Sequence, residues 1–404
     1  MSDSSVRGWI DGRQDDIIHF LCEIIAIDSV TGREGPMAGY CASWLEERGI
    51  EAILQPAKDR HNAIGVVGTG SRALILSGHL DTVPPNPGRW TYGPFTPTVA
   101  DGKVFGLGAS DLHASIAATY FAQLYLKEKG YELPGRLISA FTIEEETTGD
   151  GTQLFLDWSE KEGFLDFEET SCVVTEPTGL DHLCLGNRAS SFVVLEIAGK
   201  GGHGSRPHLA KSPLTKLMQI LAGLSELEAR WGEEYADAEF GAPTLTPTSV
   251  NCGDRDSTNV IPETARAVVD CRPTPELWSK DLALFRRELG ACIDGFREEG
   301  FEIAWSELYP REGHKLQRGH PLAELAISAL RDDLGVADAE VRYTPAGNDA
   351  VFFGIKGIPT INKVGPGHPE CAHRVDEYVT IENLLRGTEL YVRLALRFFG
   401  LSPR

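Results

Sequence analysis

The sequence predicts an α/β protein in which a mixed sheet, flanked by helices, carries a smaller α+β domain as an insertion. Over residues 1–186, segments with the two-residue period of strands alternate with segments that have the 3.6-residue period of helices. After residue 186 the pattern changes to longer strands and two long helices. The earlier pattern resumes near residue 309, so we expect a discontinuous first domain at 1–186 and 309–404, interrupted by 187–308.

Each predicted element rests on its own apolar pattern. The first domain starts with amphipathic helices, and its strands are short apolar runs that end at polar residues. Its predicted elements are helices at 14–27, 36–48, 110–128 and 381–399, and strands at 62–68, 73–77, 136–142, 172–175, 341–344 and 359–364. The inserted domain has predicted strands at 192–198, 244–252 and 265–271, and predicted helices at 211–230 and 277–299.

Composition narrows the functional classes. The 404 residues include 38 Lys+Arg and 59 Asp+Glu, a formal net charge of -21, and 42% are hydrophobic. These values exclude a wholly disordered chain and argue against nucleic-acid or membrane partners, because phosphates attract positive surfaces. The polar, acidic start has no apolar run typical of a signal peptide. The eight cysteines form no CxxC pair, so we expect buried free thiols and a cytoplasmic location.

The strongest local signal is the segment SGHLDTVP at 77–84, which follows the apolar strand ALIL. Side chains alternate along a strand, so His79 and Asp81 point to the same side. A neutral imidazole binds a metal ion through one nitrogen, while a carboxylate two residues away holds the other ring N–H. For this motif alone, a strand end with a mutually satisfied His–Asp pair is the simpler interpretation.

Further acidic residues follow other predicted strands. Asp111 stands at the predicted start of a helix, where it also suits an N-cap. The run 144–146 is three consecutive glutamates directly after the strand at 136–142, and Glu176 follows the strand at 172–175. A solvated acidic turn is the ordinary interpretation of such a run. However, ligand sites in open α/β sheets lie beyond the carboxyl ends of strands, and several strands deliver acids to that edge.

A loop histidine, His373, completes a metal-binding constellation, with His368 as its competitor. Nitrogen and carboxylate donors suit Zn²⁺ or a similar divalent ion without thiolates. Two such ions with three carboxylates and one hydroxide form a formally neutral centre, and Glu145 remains free as a general base. The predicted ligands are His79, Asp111, Glu146, Glu176 and His373.

Together these motifs resemble peptidase family M20, the dinuclear zinc aminoacylases and carboxypeptidases, from about residue 14 to 398. The nearest pattern is that of acetylornithine deacetylases and succinyl-diaminopimelate desuccinylases. The segments occur in family order: SGHLDTVP, YGPFTPTVADGKVFGLGASD, EEETT, TEPT, GGHGSRP, PTLTPTSVNCGD, NVIP, DCRP and GPG…AHRVDEY. The resemblance implies a zinc-exopeptidase-like catalytic domain and an inserted lid or dimerisation domain.

The resemblance also implies a role for each matched residue. Glu145 corresponds to the general base, although an alternative register makes Glu144 the base and Glu145 a ligand. The resemblance implies that His79 binds one ion and His373 the other, and that Asp111 bridges the two. It also implies that Glu146 and Glu176 each bind one ion, and that Asp81 supports the imidazole of His79.

In the inserted domain, the resemblance implies that His203 stabilises the oxyanion, often across a dimer interface, and that Asn259 and Arg272 contact substrate. Without the resemblance, His203 would be interpreted as a turn histidine, Asn259 as a turn or bulge residue and Arg272 as a surface cation. The expected partner is therefore a second copy of the chain, bound through the inserted domain.

The resemblance implies a zinc-dependent amidohydrolase that cleaves a small N-acyl-L-amino acid, with Co²⁺ able to replace Zn²⁺. A carboxypeptidase, dipeptidase or desuccinylase, and a non-catalytic metal-binding relative, remain alternatives. Three departures bear on substrate choice: His113 stands where the family usually has lysine, Glu144 replaces the common aspartate, and Asn348 replaces the more usual threonine. The first exchanges a permanent cation for a titratable imidazole.

Overall fold

The computed structural model describes residues 4–254 and 256–403, which divide into two compact units. Unit 1 comprises the chain up to Gly186, Lys315–Arg342 and the part from Asn348 onward. Unit 2 comprises Asn187–His314 and Tyr343–Gly347. The predicted boundary at 308/309 differs from this division because the strand Glu302–Arg311 pairs with Ser190–Ala198, which keeps 309–314 in unit 2.

The first part of unit 1 alternates helices and strands as its periodicity predicts. Helix α4 is buried at nearly every position, and its predicted start at 110 is occupied by an irregular segment, Ala109–His113. The elements are α1 (Ser4–Asp11), α2 (Gln14–Ile25), α3 (Gly35–Glu47), β1 (Glu51–Ala57), β2 (Arg60–Gly68), β3 (Ala73–His79), β4 (Thr98–Ala100), β5 (Lys103–Phe105), α4 (Ala114–Glu128), β6 (Arg136–Thr142), α5 (Asp150–Glu162), β7 (Thr170–Val174) and β8 (His182–Asn187).

Unit 2 is built on a four-stranded antiparallel sheet. Its elements are β9 (Ser190–Ala198), β10 (Gly202–His203), α6 (Pro213–Glu234), β11 (Thr244–Cys252), β12 (Val260–Ile261), β13 (Thr264–Arg272), α7 (Pro275–Asp294) and β14 (Glu302–Arg311). The sheet order is β11-β13-β9-β14. Alternate residues of β13 are buried in one apolar core with side chains of α6 and α7, as a half-buried strand requires. The helix predicted to reach 299 ends at Asp294, where Gly295 begins a turn.

The remaining elements return to unit 1, apart from the residues of β15 and β16 that belong to unit 2. They are β15 (His314–Lys315), α8 (Pro321–Ser328), β16 (Glu340–Thr344), α9 (Ala350–Ile355), β17 (Thr360–Ile361), β18 (Tyr378–Thr380) and α10 (Ile381–Phe399). None of the helices in the described part of the chain is long and apolar enough to cross a bilayer.

The main sheet of unit 1 has the order β1-β2-β6-β3-β7-β17. β1, β2 and β6 pair antiparallel, whereas β6, β3, β7 and β17 run parallel. The parallel strands therefore end at one edge. Phe155 of α5 and Phe353 of α9 lie in the apolar core on one side of the sheet. This mixed, helix-flanked sheet confirms the predicted fold class.

Candidate active site

Three of the predicted functional segments meet at the carboxyl edge of the parallel strands. His79 is the last residue of β3, the glutamate run at 144–146 begins two residues after β6, and Glu176 stands two residues after β7. Asp111 reaches the same cluster from the irregular segment before α4, and His373 from the loop after β17. The strand order explains this convergence, since β6, β3 and β7 are adjacent.

The side chains form two groups that share Asp111. In the first group, His79 Nε2 lies 3.2 Å from Asp111 Oδ1 and 3.4 Å from Glu176 Oε1. In the second, His373 Nε2 lies 3.3 Å from Asp111 Oδ2 and 2.9 Å from Glu146 Oε1. One potential ligand atom from each member of a group lies within 4.8 Å of the others. Asp111 thus presents one oxygen to each histidine.

The electrostatics reflect this concentration of charge. Hydrogen bonds to Asp111 and Glu146 raise the pKa of His373 to about 11. Burial acts to raise the pKa of Asp111, but hydrogen bonds to His373 and His79 outweigh it and lower that pKa. Burial raises the pKa of Glu145 well above its ordinary value, and the charges of Asp349 and Glu176 add to this effect. Nitrogen and carboxylate donors crowded in this way are the donor set that divalent cations prefer.

Asp81 connects the end of β3 to the glutamate loop. Its Oδ1 accepts the backbone N–H of Glu145 at 3.1 Å, and its Oδ2 accepts that of Glu146 at 3.2 Å. The Thr31 hydroxyl also donates to Oδ2, at 2.8 Å. His79 Nδ1 lies 2.8 Å from the backbone oxygen of Asp81 and 3.6 Å from its Oδ1. The carboxylate is therefore directed at the loop more closely than at the imidazole.

The structure separates the three consecutive glutamates. Glu144 is ion-paired with Lys58 and Arg60, whereas Glu146 lies beside His373. Glu145 is in neither of the two groups of potential ligands. This arrangement favours the register in which Glu146 is the ligand and Glu145 the base.

His368 and His373 occupy different surroundings. His368 Nε2 lies 3.3 Å from the Thr380 hydroxyl, and its ring packs 5.4 Å from that of Tyr378. His373 instead faces the two carboxylates described above. The geometry therefore favours His373 over its competitor as a ligand.

His113 is buried, and its Nε2 lies 3.5 Å from the Ser29 hydroxyl. Burial lowers its pKa to about 4, so the imidazole is neutral near pH 7.

The structure also places a cation that the sequence analysis did not predict beside Glu176: Lys363 Nζ lies 3.7 Å from Glu176 Oε2. The predicted strand at 359–364 includes Lys363, so the sequence carries no signal that this residue follows a strand. In the structure β17 ends at Ile361, which places Lys363 beyond the strand at the same sheet edge.

Unit 2 carries the other three predicted residues. β10 pairs with β12, which places His203 Nε2 3.5 Å from the Asn259 side-chain nitrogen. His203 Nδ1 accepts hydrogen bonds from the backbone and hydroxyl of Ser205. Arg272 is not part of this pair: its Nε lies 2.7 Å from Asp270 Oδ1, so it is ion-paired with that carboxylate. Within unit 2, His203 and Asn259 thus form a polar pair, while Arg272 has its own carboxylate partner.

This fold and this cluster of histidines and carboxylates define the class of metal-dependent amidohydrolases. The chain belongs to peptidase family M20/M25/M40, whose sequence profile matches residues 75–397. The predicted family and enzyme class are thereby confirmed.

Individual relatives span almost the whole chain. It is 29% identical over 392 residues to a succinyl-diaminopimelate desuccinylase of Paracoccus denitrificans, covering 95% of this chain and 99% of the relative. An M20 family metallo-carboxypeptidase from Sulfolobus solfataricus has the same fold, with a TM-score of 0.76 and 18% identity over 95% of this chain and 99% of that one. A dinuclear metal-binding M20 peptidase from Bacillus subtilis gives a TM-score of 0.70 at 16% identity, over 97% and 100%.

Proposed function

We propose that the protein hydrolyses the amide bond of a small N-acyl-L-amino acid, with Glu145 as the general base. The observation that carries this proposal is the pair of histidine–carboxylate groups that share Asp111, with Glu145 next to one of their members in the chain. Family membership supports the reaction class. The sequence resemblance supports an acylated amino acid as substrate.

We further propose that the site holds two divalent cations, Zn²⁺ in the native protein with Co²⁺ as a substitute. His79, Asp111 and Glu176 would hold one ion, and Asp111, Glu146 and His373 the other. The donor set fits, because imidazole nitrogens and carboxylates bind Zn²⁺ without thiolates. When bound, such ions lower the pKa of a coordinated water and polarise a carbonyl oxygen.

Glu145 would accept the proton of the attacking water and return it to the leaving amine, since an amide nitrogen leaves only when protonated. Its N–H is held by Asp81, which keeps the carboxylate at a defined place in the loop. In unit 2, His203 would donate a hydrogen bond to the oxyanion, and Asn259 beside it would contact substrate. Arg272 would pair with the substrate α-carboxylate, as a guanidinium does in charge-assisted contacts.

The acyl group decides between members of the family. The sequence motifs resemble those of acetylornithine deacetylases and of succinyl-diaminopimelate desuccinylases, and the relatives that span 95% of the chain are desuccinylases. N-succinyl amino acids therefore belong beside N-acetyl ones as first substrates. The solved peptidase structures, at under 20% identity, support the fold alone.

The decisive experiment measures amine release by the Zn²⁺- or Co²⁺-loaded protein on N-acetyl, N-succinyl and N-formyl amino acids and simple dipeptides. We expect cleavage of one acyl class, lost in Glu145→Gln. Glu160→Gln is the matched control, because Glu160 is an exposed residue paired with Lys356. A protein that binds metal but releases no amine from any substrate would contradict the proposal and favour the non-catalytic alternative.

We also propose a homodimer formed through unit 2. β11 is an edge strand of its sheet, and the exposed side chains of the unit include Met218, Val250 and Val260, each more than half exposed. Val250 lies on this edge strand, and an edge strand with an exposed apolar side chain is a natural site for pairing with a second copy. Analytical ultracentrifugation should show a dimer that Val250→Lys dissociates, and a wild-type monomer at micromolar concentration would refute it.

A further inference from the structure

A buried ionic clamp lies behind the glutamate loop, formed by Glu34, Arg60 and Glu144. The guanidinium of Arg60 bridges two carboxylates, with Nη1 bound to Glu34 and Nη2 to Glu144. The Glu34 side chain is fully buried, and those of Arg60 and Glu144 are about nine-tenths buried. None of the motifs assigned to the site includes Glu34 or Arg60.

The clamp holds the first residue of the loop from two sides. Glu34 Oε1 accepts the backbone N–H of Glu144 at 3.2 Å, and its Oε2 accepts that of Gly32 at 3.0 Å. Glu144 has a φ of 60°, a left-handed conformation that side-chain-bearing residues rarely adopt. Its own carbonyl accepts the N–H groups of Thr148 and Gly149 at 3.1 and 2.8 Å. The bend that starts the loop is thus fixed by side-chain and main-chain contacts.

The next two N–H groups of the loop belong to Glu145 and Glu146, and both donate to Asp81. Three consecutive backbone N–H groups are therefore held by two buried carboxylates, Glu34 and Asp81. Glu34 and Glu144 would repel each other without a cation between them. Lys58, which is partly exposed, also pairs with Glu144, whereas Arg60 pairs with both carboxylates. Because unpaired buried charges are costly, the guanidinium between Glu34 and Glu144 offsets their repulsion.

We propose that Arg60 is a positioning residue for the reaction: by bridging Glu34 and Glu144 it sets where the loop presents Glu145 and Glu146. This inference rests on the proposed function, in which Glu145 is the base and Glu146 a ligand. In this role Arg60 acts on the loop and does not touch substrate. Its loss should lower kcat and weaken the binding of one ion while leaving KM unchanged.

The test compares Arg60→Met and Arg60→Lys with the wild-type, Zn²⁺-saturated protein. We expect kcat to fall about 10–100-fold in Arg60→Met with KM within about two-fold, as for other residues that orient metal ligands. Arg60→Lys keeps the charge but cannot bridge the two carboxylates with two separate nitrogens, so its kcat should still be about five-fold below that of the wild type. Arg33→Met is the control, because Arg33 forms an exposed ion pair with Asp28 in the same part of the chain.

Calorimetric titration of the metal-free proteins with Zn²⁺ gives a second readout that does not need turnover. One ion should bind about ten-fold more weakly to Arg60→Met than to wild type. If Arg60→Met does not fold, Arg60→Lys carries both measurements. Folded, metal-loaded variants with unchanged kcat and Zn²⁺ affinity, or with raised KM alone, would overturn the inference. Wild-type inactivity counts against the proposed function only, since the titration still tests the clamp.

Discussion

His79 Nδ1 lies 2.8 Å from the backbone oxygen of Asp81 and 3.6 Å from its carboxylate. Because a carbonyl oxygen only accepts hydrogen bonds, this contact places the proton on Nδ1 and leaves Nε2 available to a metal ion. The imidazole is thus oriented mainly by the main chain. The Asp81 side chain is directed at the glutamate loop instead, a role that the spacing of the HxD motif does not reveal.

Replacing Asp81 with asparagine should therefore impair the loop more than the imidazole. The backbone contact to His79 survives in Asp81→Asn, but one of the two oxygens that accept the N–H groups of Glu145 and Glu146 becomes an N–H₂ donor. We expect kcat/KM to fall about 10–100-fold. Asp157→Asn, at an exposed position paired with Lys356, is the control. Full activity in Asp81→Asn would show that these hydrogen bonds do not position the loop.

Glu145→Gln distinguishes the two registers of the glutamate run. The substitution preserves size and removes only the basic oxygen. If Glu145 is the base, the variant should retain both ions per chain and lose about 10²–10⁴-fold in kcat. If Glu145 is instead a ligand, one ion should be lost with the activity. Elemental analysis of the purified protein beside steady-state kinetics separates these outcomes.

Sequence patterns predicted the part of the site that depends on strand order. His79 and Glu176 each follow an apolar run, and parallel strands bring such ends together. Glu34 and Arg60 have no comparable signal, because their contacts to Glu144 join segments 110 and 84 residues apart. Such pairings are set by tertiary packing, which no local period encodes.

Sequence patterns did not predict β1, whose burial is incomplete. β1 has exposed residues among its buried ones and contains Pro56, so it lacks the regular alternation of a strand. The predicted strand at 359–364 is paired in the sheet only at Thr360–Ile361. Its next residue, Asn362, is hydrogen-bonded to Asn348 instead. Polar side chains of this kind end a ladder without changing the apolar pattern.

The core of unit 2 should be sensitive to the loss of a ring. Phe285 of α7 is fully buried, and its ring lies 5.8 Å from that of Trp231. Phe285→Ala leaves a cavity that the surrounding helices and sheet fill only in part. We therefore expect the free energy of unfolding of unit 2 to fall by about 3–5 kcal/mol. Ser225→Ala, at an exposed position of α6, should change stability by less than about 0.5 kcal/mol. Urea unfolding measures the stability of both variants, and a Phe285→Ala protein as stable as the wild type would contradict the packing of Phe285 against Trp231.

The start of α8 should be sensitive to acid. His320 is its N-cap, and Nδ1 accepts the N–H of Leu322 at 3.2 Å. Burial lowers the pKa of His320, so the neutral imidazole is favoured in the folded state. The stability that this cap gives to the start of α8 is therefore fully present above the unfolded pKa of about 6.5. It is lost as the pH falls through the lower folded pKa.

Loss of a cap costs about 1 kcal/mol, so amide protection in 321–328 should fall about five-fold more between pH 8 and 5 than intrinsic exchange accounts for. His320→Asn provides a cap that does not titrate and should abolish this extra change. His208→Asn, at an exposed histidine of unit 2, should leave it intact. Hydrogen exchange followed by mass spectrometry makes the comparison, and the same acid response in His320→Asn would exclude His320 as its source.

The two loop histidines give the most direct test of the proposed metal centre. His373 Nε2 faces Asp111 and Glu146, whereas His368 Nε2 faces the Thr380 hydroxyl. His373→Ala removes one of the three donors of its group, so one of the two ions should be lost or bind at least about ten-fold more weakly. His368→Ala leaves both donor groups intact and should retain two ions. Metal content after dialysis against buffered Zn²⁺ measures both variants, and loss of an ion only from His368→Ala would assign the ligand to the other histidine.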